Sequence, residues 1–243
     1  LDGAEKVATT IAVRELTDNE FLVFATEKGT AKKTALAEYG NPRPGGIIAI
    51  NIEDGDRLLG VRITNGEKQI LLATANGMAI RFPETELRAM GRATYGVRGI
   101  ALRKGDRVVS MEALEKEGAI LTVTERGIGK RTPIAEYREQ SRGGLGVINL
   151  KVMPKTGKVV GARQVVPGDQ VILITHGGML IRMAVDGIRE IGRSTQGVKL
   201  IGLDGEDRLV AVAKVAERDT GEEGEPEADP DGDPQVELPE DVN

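Results

Sequence analysis

The chain has no cysteine, no tryptophan, one histidine (His176), three Phe and three Tyr among its 243 residues. Without cysteine there is no disulfide framework, thiolate metal site or cysteine nucleophile, and the absence fits a reducing compartment. A single imidazole leaves histidine-rich metal sites and most histidine-based acid–base schemes without parts. Six aromatic residues are too few for a platform that stacks the bases of single-stranded nucleic acid. No apolar run approaches the roughly 18 residues of a membrane span. The chain opens Leu1-Asp2-Gly3, with neither a starting Met nor a signal-peptide pattern, and reads as a soluble, cytoplasmic piece of something longer.

What is present is charge and glycine, and the net charge of −5 averages two unlike regions. From Glu217 to Asn243 there are 12 acidic residues against one Arg, four prolines and almost nothing apolar, so this tail carries −11 and the rest of the chain +6. Such a tail buries too little surface to offset its ordering entropy and is expected to be disordered. A basic body with an acidic tail points to a polyanionic partner and an internal competitor for it.

The body is repetitive. Lys6-Val7-Ala8, Arg57-Leu58-Leu59, Arg107-Val108-Val109, Lys158-Val159-Val160 and Arg208-Leu209-Val210 open five similar strands at a spacing of 50 or 51. Thr26-x-x-Gly29, Thr74-x-x-Gly77, Thr124-x-x-Gly127 and Thr175-x-x-Gly178 form a second series, and Gly46-Ile47, Gly96-Val97, Gly146-Val147 and Gly197-Val198 a third. Three series with one period define four repeats plus an extra copy of the first strand.

The local signals within a repeat are β. In the second unit they are strands at 57–63, 69–74 and 78–82, an Asn76-Gly77 turn of type I′ character, a polar connection from Pro83 with room for a short helical turn, and a strand at 96–102. Four strands per repeat predict an all-β, propeller-like fold with four repeats, at about 6–56, 57–106, 107–157 and 158–216. Residues 1–216 then make the folded domain and 217–243 the tail. The extra strand suggests blades completed by a strand from the neighbouring repeat.

Positive charge recurs in the same frame. Lys33, Arg81, Arg131 and Arg182 each stand four residues after a turn glycine, with Lys32 and Lys130 beside two of them. Arg92, Arg142 and Arg193 stand four residues before a third-series glycine, with Arg43 nearby in the first repeat, and Arg98 and Lys199 stand two residues after one. Equivalent positions on successive blades face one side, so these residues are expected to line a continuous basic rim suited to a duplex backbone.

Several phrases carry a family resemblance: Thr74-Ala75-Asn76-Gly77, Arg88-Ala89-Met90-Gly91, Gly96-Val97-Arg98-Gly99-Ile100, Gly129-Lys130-Arg131-Thr132 and Gly192-Arg193-Ser194-Thr195-Gln196-Gly197-Val198. Together with the acidic tail, they resemble the C-terminal domain of the bacterial DNA gyrase A subunit; topoisomerase IV has a closely related A subunit. The resemblance implies a β-pinwheel whose basic outer rim wraps duplex DNA. It also implies partnership with the rest of the A subunit, and with the gyrase B subunit, in negative supercoiling. ATP and Mg2+ serve that complete enzyme; no cofactor and no catalytic residue is expected in this piece. The family has six blades, so the resemblance also implies that two precede these four. Its Gln-Arg-Arg-Gly-Gly-Lys-Gly box has only a degenerate relative here, Gln140-Ser141-Arg142-Gly143-Gly144-Leu145-Gly146. A protein-interaction propeller of kelch or chromosome-condensation-regulator type shares the period, but the missing aromatic signatures weigh against it.

Other motifs point nowhere. Gly129-Lys130-Arg131-Thr132 lacks the spacing of a phosphate-binding loop. Asp229-x-Asp231-x-Asp233 has calcium-loop carboxylates, but Pro234 stands where a glycine is required. His176 occupies a variable, exposed turn position. Tyr39 and Tyr137 recur at one repeat position and are expected to pack.

Overall fold

The computed structural model describes residues 7–13, 15–17 and 19–215. The acidic tail, its expected disorder and competitor role, and Lys6 at the head of the first strand series lie outside the described residues. Among the described residues no helix is long and apolar enough to cross a membrane.

Four hairpins organise the chain: β1 (Phe21–Thr26) with β2 (Thr30–Ala35), β4 (Gln69–Thr74) with β5 (Met78–Pro83), β8 (Ala119–Thr124) with β9 (Ile128–Pro133), and β12 (Gln170–Thr175) with β13 (Leu180–Ala184). Each hairpin gains an inner strand from further along the chain: β3 (Leu58–Thr64), β7 (Val108–Leu114), β11 (Val159–Val165) and β15 (Leu209–Lys214) respectively. Three hairpins also gain a two-residue outer strand from the next repeat: β6 (Val97–Arg98) on β2, β10 (Val147–Ile148) on β5 and β14 (Val198–Lys199) on β9. The result is three four-stranded sheets and one three-stranded sheet, in the orders β3-β1-β2-β6, β7-β4-β5-β10, β11-β8-β9-β14 and β15-β12-β13. The inner strands pack in sequence, β3 on β7, β7 on β11 and β11 on β15, around a common axis.

The expected all-β architecture and the strand exchange between repeats are both present, but the phase differs. The strands beginning near Arg57, Arg107, Lys158 and Arg208 close the preceding blade instead of opening the next. The left-over copy is therefore the first; its described residues form no strand, and its Thr9 lines one axial cavity with Gly60, Ser110, Gly161 and Ala211. The stretch expected as a strand at 96–102 pairs only at Val97–Arg98, and Pro83 leads into a single 3-10 turn, Glu84–Glu86.

The turns explain the period. Gly29, Gly77, Gly127 and Gly178 each donate their N–H to the carbonyl of the Thr three residues before, so glycine is the last residue of the turn, where a type I′ reading places it centrally. Their φ values lie between +73° and +88°. Space requires glycine as well: a Cβ on Gly29 would lie 2.9 Å from the Ile100 carbonyl, and one on Gly127 2.9 Å from that of Ile201, because the next repeat crosses there. The Thr hydroxyl closes the turn, accepting the N–H of Thr30, Met78 or Met179 in three blades. Apolar residues alternating along the hairpins fill one cluster per junction, such as Ile70, Leu72, Ile80, Phe82 and Leu87 with Ile100 and Val108.

Candidate nucleic-acid interface

The outer edges of the first three blades are formed by a belt made of the segments 88–98, 138–148 and 189–199. Each leaves the 3-10 turn of its own blade, donates one amide to the preceding blade (Met90 to Lys33 O, Gln140 to Arg81 O, Ile191 to Arg131 O), and ends in the outer strand of that blade. The segments also meet head to tail. Asn51 donates its amide to Thr94 O, Ala101 to Gly144 O and Lys151 to Thr195 O.

The twelve residues expected on the rim fall into distinct groups. Lys32 and Lys130 do not reach it: both are 0% exposed. Lys130 donates its ammonium to Gly192 O at 2.6 Å, Arg193 O at 2.5 Å and Thr195 Oγ1 at 3.2 Å, and Lys32 donates to Ala49 O and Arg92 O. Each buried lysine therefore ties a belt segment to the blade beneath it. Burial lowers both pKa values from 10.5 to about 8, Arg92 adding to the effect at Lys32 and Arg193 at Lys130. The two isoleucines at the same repeat position, Ile80 and Ile181, show that this position points inward.

Lys33, Arg81 and Arg131 latch neighbouring blades. Lys33 donates to Glu84 O at 3.0 Å, Arg81 to Ile134 O and Tyr137 O at 3.2 Å, and Arg131 to Ile188 O at 2.8 Å. Each acceptor lies in or just after the 3-10 turn of the following blade. Arg182, the fourth member, is exposed and donates only within its own blade, to Gln170 Oε1. Arg92, Arg142 and Arg193 clip the belt. Their guanidinium groups reach back to the segment before them, at Ile48 O (3.2 Å), which is in no strand, and at Arg98 O (3.2 Å) and Ile148 O (2.8 Å) of the outer strands, leaving each half-exposed.

Arg43, Arg98, Arg182 and Lys199 are fully on the surface, and a further set joins them. Arg88, Arg138 and Arg189 begin the three belt segments, all exposed, and none makes an ion pair among the described residues. Their signal was in the sequence, since each stands eleven residues after a turn glycine, with Gly40 in the first repeat. The perimeter thus carries Arg88 with Arg98, Arg138, and Arg189 with Lys199 on successive segments, with the clip arginines between them. Cations at equivalent exposed positions of successive segments offer a row of donors that a polyanion's phosphates could accept.

The tyrosines pack as expected for Tyr137, which is buried and donates its hydroxyl to Asn149 Oδ1 at 2.5 Å; burial pushes its pKa upward. Tyr39 donates to Ala49 O. His176 is exposed in its turn. Among the described residues no group of three or more His, Cys, Asp or Glu could hold a metal ion.

Fold and perimeter together define a repeat-built β-propeller with blades joined by strand exchange and a cationic outer belt. A family model described as "DNA gyrase C-terminal domain, beta-propeller" matches residues 20–65, 68–115, 119–165 and 169–216, one match per blade, and the chain belongs to this family. Among its relatives, the DNA gyrase A subunit of Halalkalibacterium halodurans is 53% identical over 215 residues, covering 88% of this chain and 26% of that protein. The corresponding protein of Salmonella typhimurium is 44% identical over 217 residues, covering 89% and 25%. The chain thus spans about a quarter of the length of these relatives. A solved DNA gyrase A C-terminal domain superposes with a TM-score of 0.77 at 27% identity, covering 84% of this chain and 68% of that one. The C-terminal domain of DNA topoisomerase IV gives 0.83 at 28%, covering 88% and 68%.

Proposed function

We propose that this chain binds duplex DNA along its outer belt without reading sequence, and serves as the DNA-wrapping module of a gyrase A subunit. The observation that carries the proposal is the placement of Arg88, Arg138 and Arg189, with Arg98 and Lys199, at equivalent exposed positions of successive belt segments. A convex edge with a cation on each segment bends a polyanion around itself, because every further contact requires the duplex to follow the curve. The buried lysines and latch residues act on this surface only indirectly, by holding the belt to the blades.

In this reading the chemistry lies elsewhere. The wrap presents DNA to the remainder of the A subunit, and to the B subunit; ATP and Mg2+ are consumed there, in the bacterial cytoplasm. No observation favours the protein-interaction alternative.

The test is equilibrium binding to duplexes of unrelated sequence over a salt series, with closure of nicked circles in the presence of the protein as a topological readout. Log affinity is expected to fall steeply with log salt, by about 0.9 per phosphate neutralised, equally for every sequence, and closed circles are expected to retain a change in linking number. A flat salt dependence, or one strongly preferred sequence, overturns the proposal.

A further inference from the structure

At the end of the molecule where the hairpins turn, each turn is tied to the loop that enters its blade's inner strand. The Glu27 and Lys28 amides donate to Arg57 O and Asp56 Oδ1, those of Ala75 and Asn76 to Arg107 O and Asp106 Oδ1, those of His176 and Gly177 to Arg208 O and Asp207 Oδ1, and the Glu125 amide to Lys158 O. The four loops, 51–57, 101–107, 151–158 and 202–208, therefore form one turn face. They are alike in place and unlike in charge. The second and third carry +2 and +3, the first and fourth −2 each.

The cations of the two central loops are free. Arg103, Lys104, Lys151, Lys155 and Lys158, with Arg126 in the third turn, are exposed and make no ion pair among the described residues. The carboxylates beside them are occupied: Asp106 accepts the amides of Asn76 and Arg107, and Glu125 that of Lys158. Unpaired cations on adjacent loops repel one another, a cost with no return inside the fold. Unlike the latch and clip residues, they do not recur with the repeat, so the joint between blades does not account for them.

Lys199 links this patch to the belt. It lines one concavity with Arg126, Lys155 and Arg208, where Asp207 is occupied by the Gly177 and Arg208 amides. The composition of the patch selects the partner. It has no aromatic residue, and Met153, 41% exposed, is its one exposed large hydrophobic among the described residues. A protein partner finds no aromatic or apolar anchor to bury there, and unpaired bases find no ring to stack on. Lysine-rich loops without either suit the phosphates of a duplex.

We propose that the turn face of the second and third blades is a second phosphate-binding surface, onto which a duplex held by the belt crosses over Lys199 as it leaves the perimeter. This path presupposes the duplex binding on the belt proposed above. It makes the footprint of the protein longer than the belt alone and brings Lys104, Lys155 and Lys158 into it.

The test compares the parent chain with a face variant (Lys104→Gln, Lys155→Gln and Lys158→Gln combined) and a belt variant (Arg88→Ala, Arg138→Ala and Arg189→Ala combined) on duplexes of increasing length. Folding is checked by circular dichroism and thermal unfolding. The log–log salt slope of the parent is expected to steepen with duplex length until both surfaces are covered. In the face variant the shortest duplexes that bind keep the parent slope, and the longest lose about 0.9 for each of the three contacts. The belt variant loses slope at every length. A folded face variant with the parent slope at every length overturns the proposal and leaves the belt reading standing. A loss in the face variant already at the shortest duplexes, with none in the belt variant, overturns both, because the face then holds the duplex in place of the belt. Poly-glutamate probes for an acidic protein partner instead. If its binding depends on the three lysines while duplex binding does not, the proposal is also overturned.

Discussion

The hairpin cations and the belt cations of this protein recur at the same repeat spacing, yet they do opposite things. Arg131, on a strand, spends its guanidinium on the Ile188 carbonyl of the next blade, while Arg138, seven residues later, faces solvent. Likewise Lys130 is sealed beneath the belt while Arg189 stands on it. A repeated positive charge therefore marks whatever recurs with the repeat, and the joint between blades recurs as faithfully as the outer surface. What separates the two classes is the acceptor: carbonyl oxygens left over by the 3-10 turns and belt loops in one case, solvent in the other.

The sharpest break of this contrast is Lys130→Ala. It removes the donor shared by Gly192 O, Arg193 O and Thr195 Oγ1 and leaves a void, and is expected to cost about 3 kcal/mol or more, read by denaturant unfolding. Arg138→Ala measured beside it is expected to stay within about 0.5 kcal/mol of the parent. The buried amine has a second signature. With its folded pKa at about 8 against 10.5 unfolded, the unfolded chain holds the extra proton between those values, so stability rises as pH increases through that window. Lys130→Ala loses its part of that rise. A rise of unchanged size in the variant would contradict the assignment.

Arg131→Ala comes next. It frees one latch carbonyl and is expected to lower stability by about 1–2 kcal/mol while leaving the salt slope of DNA binding unchanged. A slope reduced by one contact would move Arg131 into the binding class.

A smaller effect with the opposite sign is expected at Glu84. It is buried at a position held by Leu36, Ile134 and Val185 in the other blades, and neither carboxylate oxygen makes a well-formed hydrogen bond. Burial raises its pKa, partly offset by the Thr64 hydroxyl and the Lys33 ammonium. The folded state therefore holds the proton longer than the unfolded chain, and stability falls as pH rises from the ordinary carboxylate value toward the raised one. Glu84→Leu is expected to remove that fall and to stabilise by about 1 kcal/mol at neutral pH. An unchanged pH profile would contradict it.

The period of 50 was legible because all four turn glycines have positive φ, and at Gly29, Gly77 and Gly127 the crossing of the next repeat also forbids a side chain. The phase was not, because an inner strand such as Leu58–Thr64 looks the same whether it opens a blade or closes one. Hydrogen bonds to β1, not local sequence, decide. The inward position of Lys32 and Lys130 was legible in the isoleucines at 80 and 181, but a lysine pair on a strand reads as surface when taken alone. The latch role of Arg81 and Arg131 was not legible, since their acceptors are backbone carbonyls more than fifty residues away.

The central claim, that the belt and not the hairpin cations holds the duplex, is tested most directly by the salt dependence of DNA binding for the parent chain and for Arg88→Ala, Arg138→Ala and Arg189→Ala combined. The account predicts unchanged thermal stability and a log–log slope shallower by about 0.9 for each of the three contacts removed. An identical slope in the folded triple variant would contradict it.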